Sequence, residues 1–457
     1  MIMQKHHAFL KPDHLLSTWS AFKSLPAASR ALCRYDSKDL WELDTQRLPM
    51  PMANLRRRAR AFAESVLAPG VRILDEADHA QAGTLHPQAA QVLSEAGRQG
   101  WMTGILPVPL GTAGVAEMAY APHFRYALQV EEFARVDAGQ MLLLSAHQLG
   151  LAPLLLSMDP KLWWRYLRPM VHDFQHGIPH LFAFAITEPS SGSDVEEGMG
   201  AELARPGVVA YRDGKGYRLR GRKCYISGGD LARTLTVFAA LEGEPMSSWT
   251  CFVVQSDQPG FSCRRTELKM GMRASSAAEI ELDDVRIEPS AIVAGLRRGW
   301  ALNRATLNMS RFPVAAMAVG LARRACELAL DFCVQRQLAG KPLLHYQEIQ
   351  LQLAQMIAQT RAMRSMLWQS ASGSFVPRQS EASMVKFLAS DQAQEVCTMG
   401  LDLLAEVGIG SDCGMEKLLR DVRLIRIFEG TNQINRLAVM EDLQPLWLQS
   451  GPGSISC

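Results

Sequence analysis

The sequence lacks an excess of either charge. Its 457 residues contain 48 Lys and Arg against 46 Asp and Glu, so the formal net charge is +2. This balance excludes a nucleic-acid footprint over the whole chain, although a local basic patch is compatible with it. The sequence also lacks internal repeats and low-complexity segments. At this length we expect two or three globular domains with substantial cores.

Paired cysteines and long apolar spans are also missing. The nine cysteines form no CxxC pair and their number is odd, which is typical of reduced, intracellular thiols and indicates no metal site. The stretch Gly139–Met158 has no formal charge, but it carries Gln140, His147 and Pro153. We therefore predict buried helices there and no membrane span.

No secretory signal is evident at the start of the chain. Lys5, His6 and His7 are followed by only a short apolar segment. Residues 1–48 are rich in Lys and Arg relative to acids up to Arg34, as in organellar transit peptides. We expect a cytoplasmic protein of bacterial type, or a mitochondrial matrix protein if residues 1–48 are a transit peptide. No function is assigned to this extension.

The texture of the sequence changes twice. Residues 49–180 are predicted to be helical, because apolar residues such as Leu55, Ala59 and Phe62 recur at helical spacing. Residues 181–292 contain short β-branched and aromatic runs, YRLRGRKCYIS, TLTVFAAL, WTCFVVQ and EIELDDVRI, separated by Gly, Pro, Ser or Asp. These runs predict a middle antiparallel β-barrel or sandwich.

Long amphipathic segments return after Gly299. Two apolar stripes, two further helices over 380–407 and 414–425, and a loop around Pro377 predict a C-terminal four-helix bundle over 293–445, followed by a tail, 446–457. The stripes are core residues. They comprise Val314, Met317, Leu321, Ala325, Leu328 and Phe332, then Ile349, Leu353, Met356, Met363 and Leu367. The fold class is thus a multidomain α+β chain, with a cleft where the β domain meets the helical domains.

A single carboxylate in IFEGTNQINR, residues 427–436, is the first candidate for chemistry. Glu429 lies between Ile427-Phe428 and Gly430-Thr431. An apolar site disfavours the charged form of a carboxyl, so its pKa rises toward the range of a useful base. The alternative is a solvated loop carboxylate before a helix that Thr431 caps.

The loop FAFAITEPSSGSDV, residues 182–195, is the second candidate. An apolar strand runs into Thr187-Glu188-Pro189, and small residues follow up to Asp194. Small residues and free backbone N–H groups let a chain approach a flat ring or a phosphate closely. An ordinary loop between strands is the alternative.

These segments, in this order, resemble the acyl-CoA dehydrogenase family over about residues 50–440. TEPxxGSD resembles its first signature, and EKLLRDVRLIRIFEGTNQINR (416–436) resembles its closing segment. Four regions between them are also similar: KCYISGG (223–229), KMGMRASSAAEIELDDVRI (269–287), SRFPVAAMAVGLARRACELALDFCVQR (310–336), and QEIQLQLAQM with SMVKFLASDQA.

The resemblance implies a role for individual residues. Positions matching family contacts to FAD are Phe184, Ile186, Thr187, Gly192, Ser193, Tyr225, Ser227, Arg336, Thr431 and Gln433. Ser193, Asn308 and Arg311 match positions near the acyl-CoA substrate, and Arg336 matches a residue that reaches FAD across a subunit boundary. Glu429 matches the catalytic base. Some members carry the base on an earlier helix, but Ser310 stands there and cannot serve.

The implied reaction is oxidation of an acyl-CoA to the trans-2-enoyl-CoA. The base removes the α proton, flavin N5 accepts the β hydride, and an electron-transfer flavoprotein receives the electrons. Family members belong to fatty acid metabolism and are usually homotetramers built on dimers. Acyl chain length and branching are not implied. Two rival readings are an oxygen-using acyl-CoA oxidase or related flavoenzyme, and a binding paralogue that has lost its cofactor.

Several positions depart from the family pattern. Asp402 and Glu406 stand where an amide and a glycine usually face a pyrophosphate, and like charges repel there unless a cation intervenes. Ala339 replaces a Phe that packs on the cofactor, and Tyr225 replaces a Trp.

Overall fold

The computed structural model describes residues 24–29, 41–77, 82–106, 110–373 and 375–449. The chain divides into a small unit, residues 1–53, and a large unit, residues 54–457. In the small unit the structure describes helix α1, Glu42–Thr45, and the first residues of α2, Met50–Phe62. Most of the 1–48 extension and residues 450–457 of the tail lie outside the described residues.

Helices form the first part of the large unit. After α2 come α3 (Val71–Glu76), α4 (Pro87–Arg98), α5 (Pro122–Val136), α6 (Ala138–Leu156), α7 (Pro160–Leu162) and α8 (Arg168–Gln175). The predicted stripe residues Leu55, Ala59 and Phe62 are buried. The ring of Phe62 lies 5.0 Å from that of Phe133 and 5.8 Å from that of Trp101, centroid to centroid. These aromatic contacts join α2 to α5.

Helix α6 contains the charge-free stretch. Among the described helices it is the one long and apolar enough to cross a membrane, but 72% of its apolar window is buried inside the protein. The Asp137 carboxylate accepts hydrogen bonds from Gly139 N and Gln140 N, which caps the helix. Gly150 permits close contact with the sheet, since a Cβ there would lie 2.6 Å from Ala183 N. The stretch is a core helix, as its polar residues predicted.

The middle region contains eight strands and one short helix, α9 (Gly198–Leu203). The strands are β1 (Phe182–Ala185), β2 (Val208–Asp213), β3 (Gly216–Ser227), β4 (Thr234–Leu241), β5 (Thr250–Gln255), β6 (Phe261–Thr266), β7 (Ala277–Ile287) and β8 (Ile292–Val293). The four strand-like runs of the sequence are β3, β4, β5 and β7.

The predicted order of a helical, a β and a second helical domain is confirmed, but the middle sheet is mixed and is not a closed antiparallel barrel. The sheet runs β6-β7-β3-β2-β4-β5-β8, with β1 paired to β4, and no pairing joins β6 to β8 among the described strands. Both β1 and β2 pair with β4 in parallel, with Phe182 opposite Thr234 and Val209 opposite Ala240. The sheet is therefore mixed, because β4 has two parallel neighbours along different parts of its length. It is also open, because its described edge strands β6 and β8 do not pair with each other.

Helices return in the C-terminal region, as predicted. They are α10 (Gly299–Gln335), α11 (Gln347–Ser372), α12 (Gln379–Gly408), α13 (Met415–Ile425) and α14 (Asn432–Gln449), with a hairpin β9 (Gln337–Leu338) and β10 (Lys341–Pro342) after α10. The loop around Pro377 separates α11 from α12. Most of both predicted stripes is buried, and Leu328, Phe332 and Ile349 are half-buried.

A buried ionic cluster ties this region to the N-terminal helices. Arg323 of α10 and Arg364 of α11 both contact the carboxylate of Glu131 on α5. Arg323 also contacts Glu132 at 2.6 Å, and all four side chains are almost fully buried. Buried charges of both signs in contact satisfy one another, so this cluster fixes α5 against α10 and α11.

Candidate active site

The loop after β1 is held by a buried carboxylate within its own motif. Glu188 N donates to Ser191 O at 2.9 Å, which closes a tight turn over Pro189-Ser190. The Glu188 carboxylate accepts hydrogen bonds from Gly207 N, Val208 N and Lys223 Nζ. Both side chains of the Lys223–Glu188 pair have no exposed surface. The pair therefore fixes the loop to β2 and β3.

Strand β3 brings an exposed aromatic residue beside this loop. Cys224 N donates to Thr187 O at 3.0 Å. Tyr225 is the next residue along the strand and therefore lies beside this contact. The register against β7 shifts between Lys223 and Ile226, and Tyr225 has a φ of 57° in this irregular segment. Its side chain is 64% exposed, and Ser227 two residues later is half-buried.

The same loop contacts the segment that contains Glu429. Thr431 N donates to Ser193 Oγ at 3.0 Å, although the two residues are 238 positions apart. Gly192 N donates to the Asp194 carboxylate at 2.7 Å, which shapes the turn before the 3-10 segment Ser193–Glu196. The two candidate motifs of the sequence therefore meet in space.

The turn between α13 and α14 has a constrained backbone. Glu429 has a φ of 56°, and Gly430 follows with a φ of 80°. A non-glycine residue in the left-handed region costs free energy and is enriched at functional sites. Lys386 Nζ of α12 donates to Gly430 O at 2.7 Å, and Asn435 Nδ2 donates to the same oxygen at 2.9 Å. These contacts hold the turn in place.

The Glu429 carboxylate is half-buried and contacts α10. Ser310 Oγ donates a hydrogen bond to Glu429 Oε2 at 2.7 Å. Burial raises the pKa of Glu429 to about 7, against the opposing effects of the Ser310 hydrogen bond and of Arg311 and Lys386. Glu429 is thus a carboxylate that titrates near neutral pH, as required of a base.

A second carboxylate lies beside it. Glu196 Oε2 accepts a hydrogen bond from an Arg311 terminal nitrogen at 2.9 Å, and both side chains are at least 90% buried. A Cβ on Gly430 would lie 2.7 Å from Glu196 Oε2, so this carboxylate packs against the backbone next to Glu429. Burial raises the pKa of Glu196 and lowers that of Arg311.

The other residues predicted to contact FAD differ in how far they are exposed to solvent. Phe184 is buried, and its ring lies 5.0 Å from that of Phe238, centroid to centroid. Ile186 O accepts a hydrogen bond from Lys223 Nζ. Gln433 is exposed on the first turn of α14. Ile434 N donates to Thr431 Oγ1 at 3.4 Å, a weak capping contact that accompanies the contact with Ser193.

The predicted substrate contacts have internal partners. Arg311 donates to Asn308 Oδ1 at 3.2 Å and to Ser383 Oγ at 3.0 Å, besides its contact with Glu196. Only 4% of the Arg311 side chain is exposed. Its guanidinium therefore supports α10 and α12 from within. A contact with substrate stays a prediction for both residues.

Arg336 lies in a different part of the structure, where α10 ends. Its guanidinium contacts Glu406 Oε1 at 3.2 Å, and both side chains are more than half exposed. Asp402 is also exposed on α12. Ala339 has a φ of 48° in the turn between β9 and β10. The cation that Glu406 needs is therefore Arg336 of the same chain.

Sequence reasoning missed three residues of the site. Glu196 comes two residues after the GSD triplet, and Ser383 and Lys386 both lie within SMVKFLASDQA. Their type alone gave no signal, because each bond joins residues far apart in sequence. Lys223 and Glu188 lie inside the quoted motifs, and their pairing follows only from the fold.

The residues around the first loop fit a flavin. Thr187, Ser193 and Ser227 are half-buried hydroxyls, and Tyr225 offers an exposed aromatic side chain beside Thr187. Such a set suits the ring of FAD, since a flat apolar surface and a few hydroxyls are what a flavin edge requires.

Three family models match most of the chain. Models for the acyl-CoA dehydrogenase N-terminal, middle and C-terminal domains match residues 52–173, 183–285 and 297–444. A cyclohex-1-ene-1-carbonyl-CoA dehydrogenase of Geobacter metallireducens is 32% identical over 383 residues, covering 83% of this chain and 94% of that protein. The caffeyl-CoA reductase–Etf complex subunit CarC of Acetobacterium woodii is 29% identical, covering 84% and 96%.

Solved structures agree with these relatives. Butyryl-CoA dehydrogenase from Megasphaera elsdenii superimposes with a TM-score of 0.75 at 26% identity, covering 87% of this chain and 99% of that chain. An acyl-CoA dehydrogenase from Bacillus anthracis, complexed with FAD, has a TM-score of 0.77 at 25% identity and covers 91% and 71%. The chain therefore belongs to the acyl-CoA dehydrogenase family, FAD-dependent oxidoreductases that act on CH–CH bonds.

Proposed function

We propose that the protein oxidises a saturated acyl-CoA thioester to the trans-2-enoyl-CoA and that Glu429 is its catalytic base. The observation that carries this proposal is the position of Glu429, half-buried, bonded to Ser310 and next to the Ser193 loop. A carboxylate that titrates near pH 7 is well matched to removing a proton next to a thioester carbonyl.

The residues of the site divide the work. Glu429 Oε takes the α proton and becomes a carboxylic acid, while the electron pair of the broken C–H bond moves into the new C=C bond. Lys386 and Asn435 hold the Gly430 carbonyl, so the backbone beside the base does not move as charge shifts. FAD, when bound, supplies the acceptor for the β hydride at N5.

Partners and assembly are part of the proposal. The Etf complex named for the Acetobacterium relative supports an electron-transfer flavoprotein as the acceptor of the two electrons. We further propose a homodimer or homotetramer in which Arg336 reaches the cofactor of a neighbouring subunit. Its exposed guanidinium after α10 is compatible with this role.

Anaerobic mixing with a panel of acyl-CoAs tests the reaction. A suitable substrate is expected to bleach the flavin of the reconstituted protein. Glu429→Gln keeps the shape of the side chain but removes the base, so bleaching is expected to fall by at least about a hundredfold while flavin absorbance stays. Glu202→Gln, an exposed substitution of the same kind, is the matched control and should bleach normally.

Two outcomes would overturn the proposal. Unchanged bleaching by Glu429→Gln would remove Glu429 from the role of base. A colourless protein that FAD does not reconstitute would favour a binding paralogue, whereas rapid reoxidation of the bleached enzyme by oxygen would indicate an acyl-CoA oxidase.

A further inference from the structure

Three charged groups from three elements converge around the Glu429 turn. Glu196 comes from the 3-10 segment Ser193–Glu196, Arg311 from α10 and Lys386 from α12. The Arg304 guanidinium also acts on Glu196, and the Asp391 carboxylate acts on Lys386. In the proposed reaction Lys386 holds the Gly430 carbonyl, whereas Glu196 has no part in it.

Both terminal nitrogens of Arg311 have acceptors other than Glu429. One terminal nitrogen donates to Glu196 Oε2 at 2.9 Å, and the other donates to Asn308 and Ser383. Glu429 instead takes its hydrogen bond from the neutral hydroxyl of Ser310. Glu196 therefore pairs with a cation whose charge also acts on Glu429.

The position of Glu196 is built into the fold. Its carboxylate packs on Gly430, where any side chain would collide with it at 2.7 Å. Two hydrogen bonds anchor its segment: Thr431 N donates to the side-chain Oγ of Ser193, and Trp300 Nε1 donates to the main-chain Val195 O at 2.9 Å. The carboxylate is thus fixed between Arg311 and the Glu429 turn.

We propose that Glu196 is a positioning residue that sequesters Arg311 from Glu429 and thereby keeps the base free to accept a proton near neutral pH. An arginine paired directly with the base would hold it ionised and weakly basic, because an opposite charge within hydrogen-bonding distance favours the charged form. Glu196 contributes a second effect of the same sign, since its negative charge disfavours the ionised form of Glu429. The inference rests on the proposed role of Glu429 as base.

The test is an infrared titration of Glu429, which requires no turnover. The Glu429 carboxyl band is identified as the signal that disappears in Glu429→Gln. In Glu196→Gln the Arg311 guanidinium loses its charged partner and turns to the carboxylate of Glu429, so the midpoint of this band is expected to fall by about one pH unit or more. Glu202→Gln removes one negative charge from the exposed part of α9 and should leave the midpoint unchanged.

A conservative variant and a pH profile complete the design. Glu196→Asp keeps the charge but draws it back by one methylene, so the midpoint should fall in the same direction by less; this variant also decides the test if Glu196→Gln does not fold. The acid limb of flavin bleaching should move to lower pH by the same amount as the infrared midpoint. An unchanged Glu429 midpoint in the folded variants would overturn the inference, even if bleaching is slower or absent.

Discussion

Glu429 combines an unfavourable backbone conformation with a shifted pKa. Its φ of 56° is uncommon for a residue with a side chain, and Gly430, Lys386 and Asn435 all act to keep it there. Burial raises its pKa to about 7 even though Ser310, Arg311 and Lys386 favour the ionised form. The residue is thus held in place by polar contacts to the backbone, and its charge is set by contacts to its side chain.

Removing the Ser310 hydroxyl should raise the pKa of Glu429 without moving its side chain. The hydroxyl donates to Glu429 Oε2 at 2.7 Å and so stabilises the carboxylate. In Ser310→Ala the pKa of Glu429 is expected to rise above about 7, by roughly one unit, since a hydrogen bond to a charged group contributes on the order of 1.5 kcal/mol. The base is active when ionised, so the acid limb of the bleaching rate should move to higher pH.

The pH profile of bleaching, measured from about pH 5 to 9, provides the check. Ser372→Ala is the matched control, because the Ser372 hydroxyl donates only to Gln369 O on α11. A profile that moves to lower pH, or that does not move, would show that Ser310 does not stabilise the carboxylate of Glu429.

At the scale of elements, the periodic spacing of apolar residues predicted the helices, whereas the sequence did not predict which strands pair. Helical stripes gave the positions of α10, α11, α12 and α13, because a buried face repeats every few residues along one element. The sequence did not predict the parallel pairing of β1 and β2 with β4. Such pairing joins strands through crossover connections, which leave no pattern in the local sequence. The barrel-like alternation of β3 and β7 is the same in an open sheet.

The residues of the site likewise divide into those that the sequence motifs predicted and those that only the fold brings together. Thr187, Ser193 and Glu429 belong to motifs that could be quoted from the sequence, and the structure brings these motifs together. Glu196 and Arg311 could not be paired in advance, because 115 positions separate them and either residue alone has the character of a surface side chain. Pairing of buried charges depends on which helix packs on which loop.

Helix α12 contains a residue whose conformation suits glycine. Ala405 has φ 45° and ψ −123° inside a helix that otherwise continues to Gly408. Such a conformation costs a residue with a side chain on the order of 1–3 kcal/mol. Ala405→Gly is therefore expected to raise the free energy of unfolding by about 1 kcal/mol, after allowance for the greater freedom of glycine in the unfolded chain.

Thermal unfolding of two variants measures this effect. Ala358→Gly is the control, because Ala358 is exposed inside the regular helix α11 and its replacement should cost about 1 kcal/mol. The two substitutions are chemically identical, so melting temperatures that shift in opposite directions would support the strain at Ala405. Equal losses of stability would contradict it.

At the scale of the whole molecule, the ends of α10 and α12 meet at the exposed Arg336–Glu406 pair. Leu338, Val407 and Ile409 are exposed apolar side chains close in sequence to Arg336 and Glu406. Exposed apolar residues of this kind are typical of surfaces that a partner covers. A second copy of the chain, as proposed for Arg336, would bury them and bring the guanidinium to a neighbouring cofactor.

Glu406 should then weaken cofactor binding in the assembled protein. Its carboxylate competes for Arg336 at 3.2 Å and places a negative charge near the position proposed for a pyrophosphate. In Glu406→Gln the guanidinium loses its ion pair and the nearby negative charge is removed, so FAD affinity is expected to rise about three- to tenfold, and less at high ionic strength because exposed charges are screened. Fluorescence titration of the apoprotein with FAD at two salt concentrations measures both effects.

Glu395→Gln, an exposed substitution earlier on α12, controls for net charge and should bind FAD as the parent protein does. Equal affinity in the two variants would indicate that Arg336 already leaves Glu406 at no cost, or that it never faces the cofactor. Arg336→Gln separates these explanations, because it lowers FAD affinity only if the guanidinium contacts the cofactor.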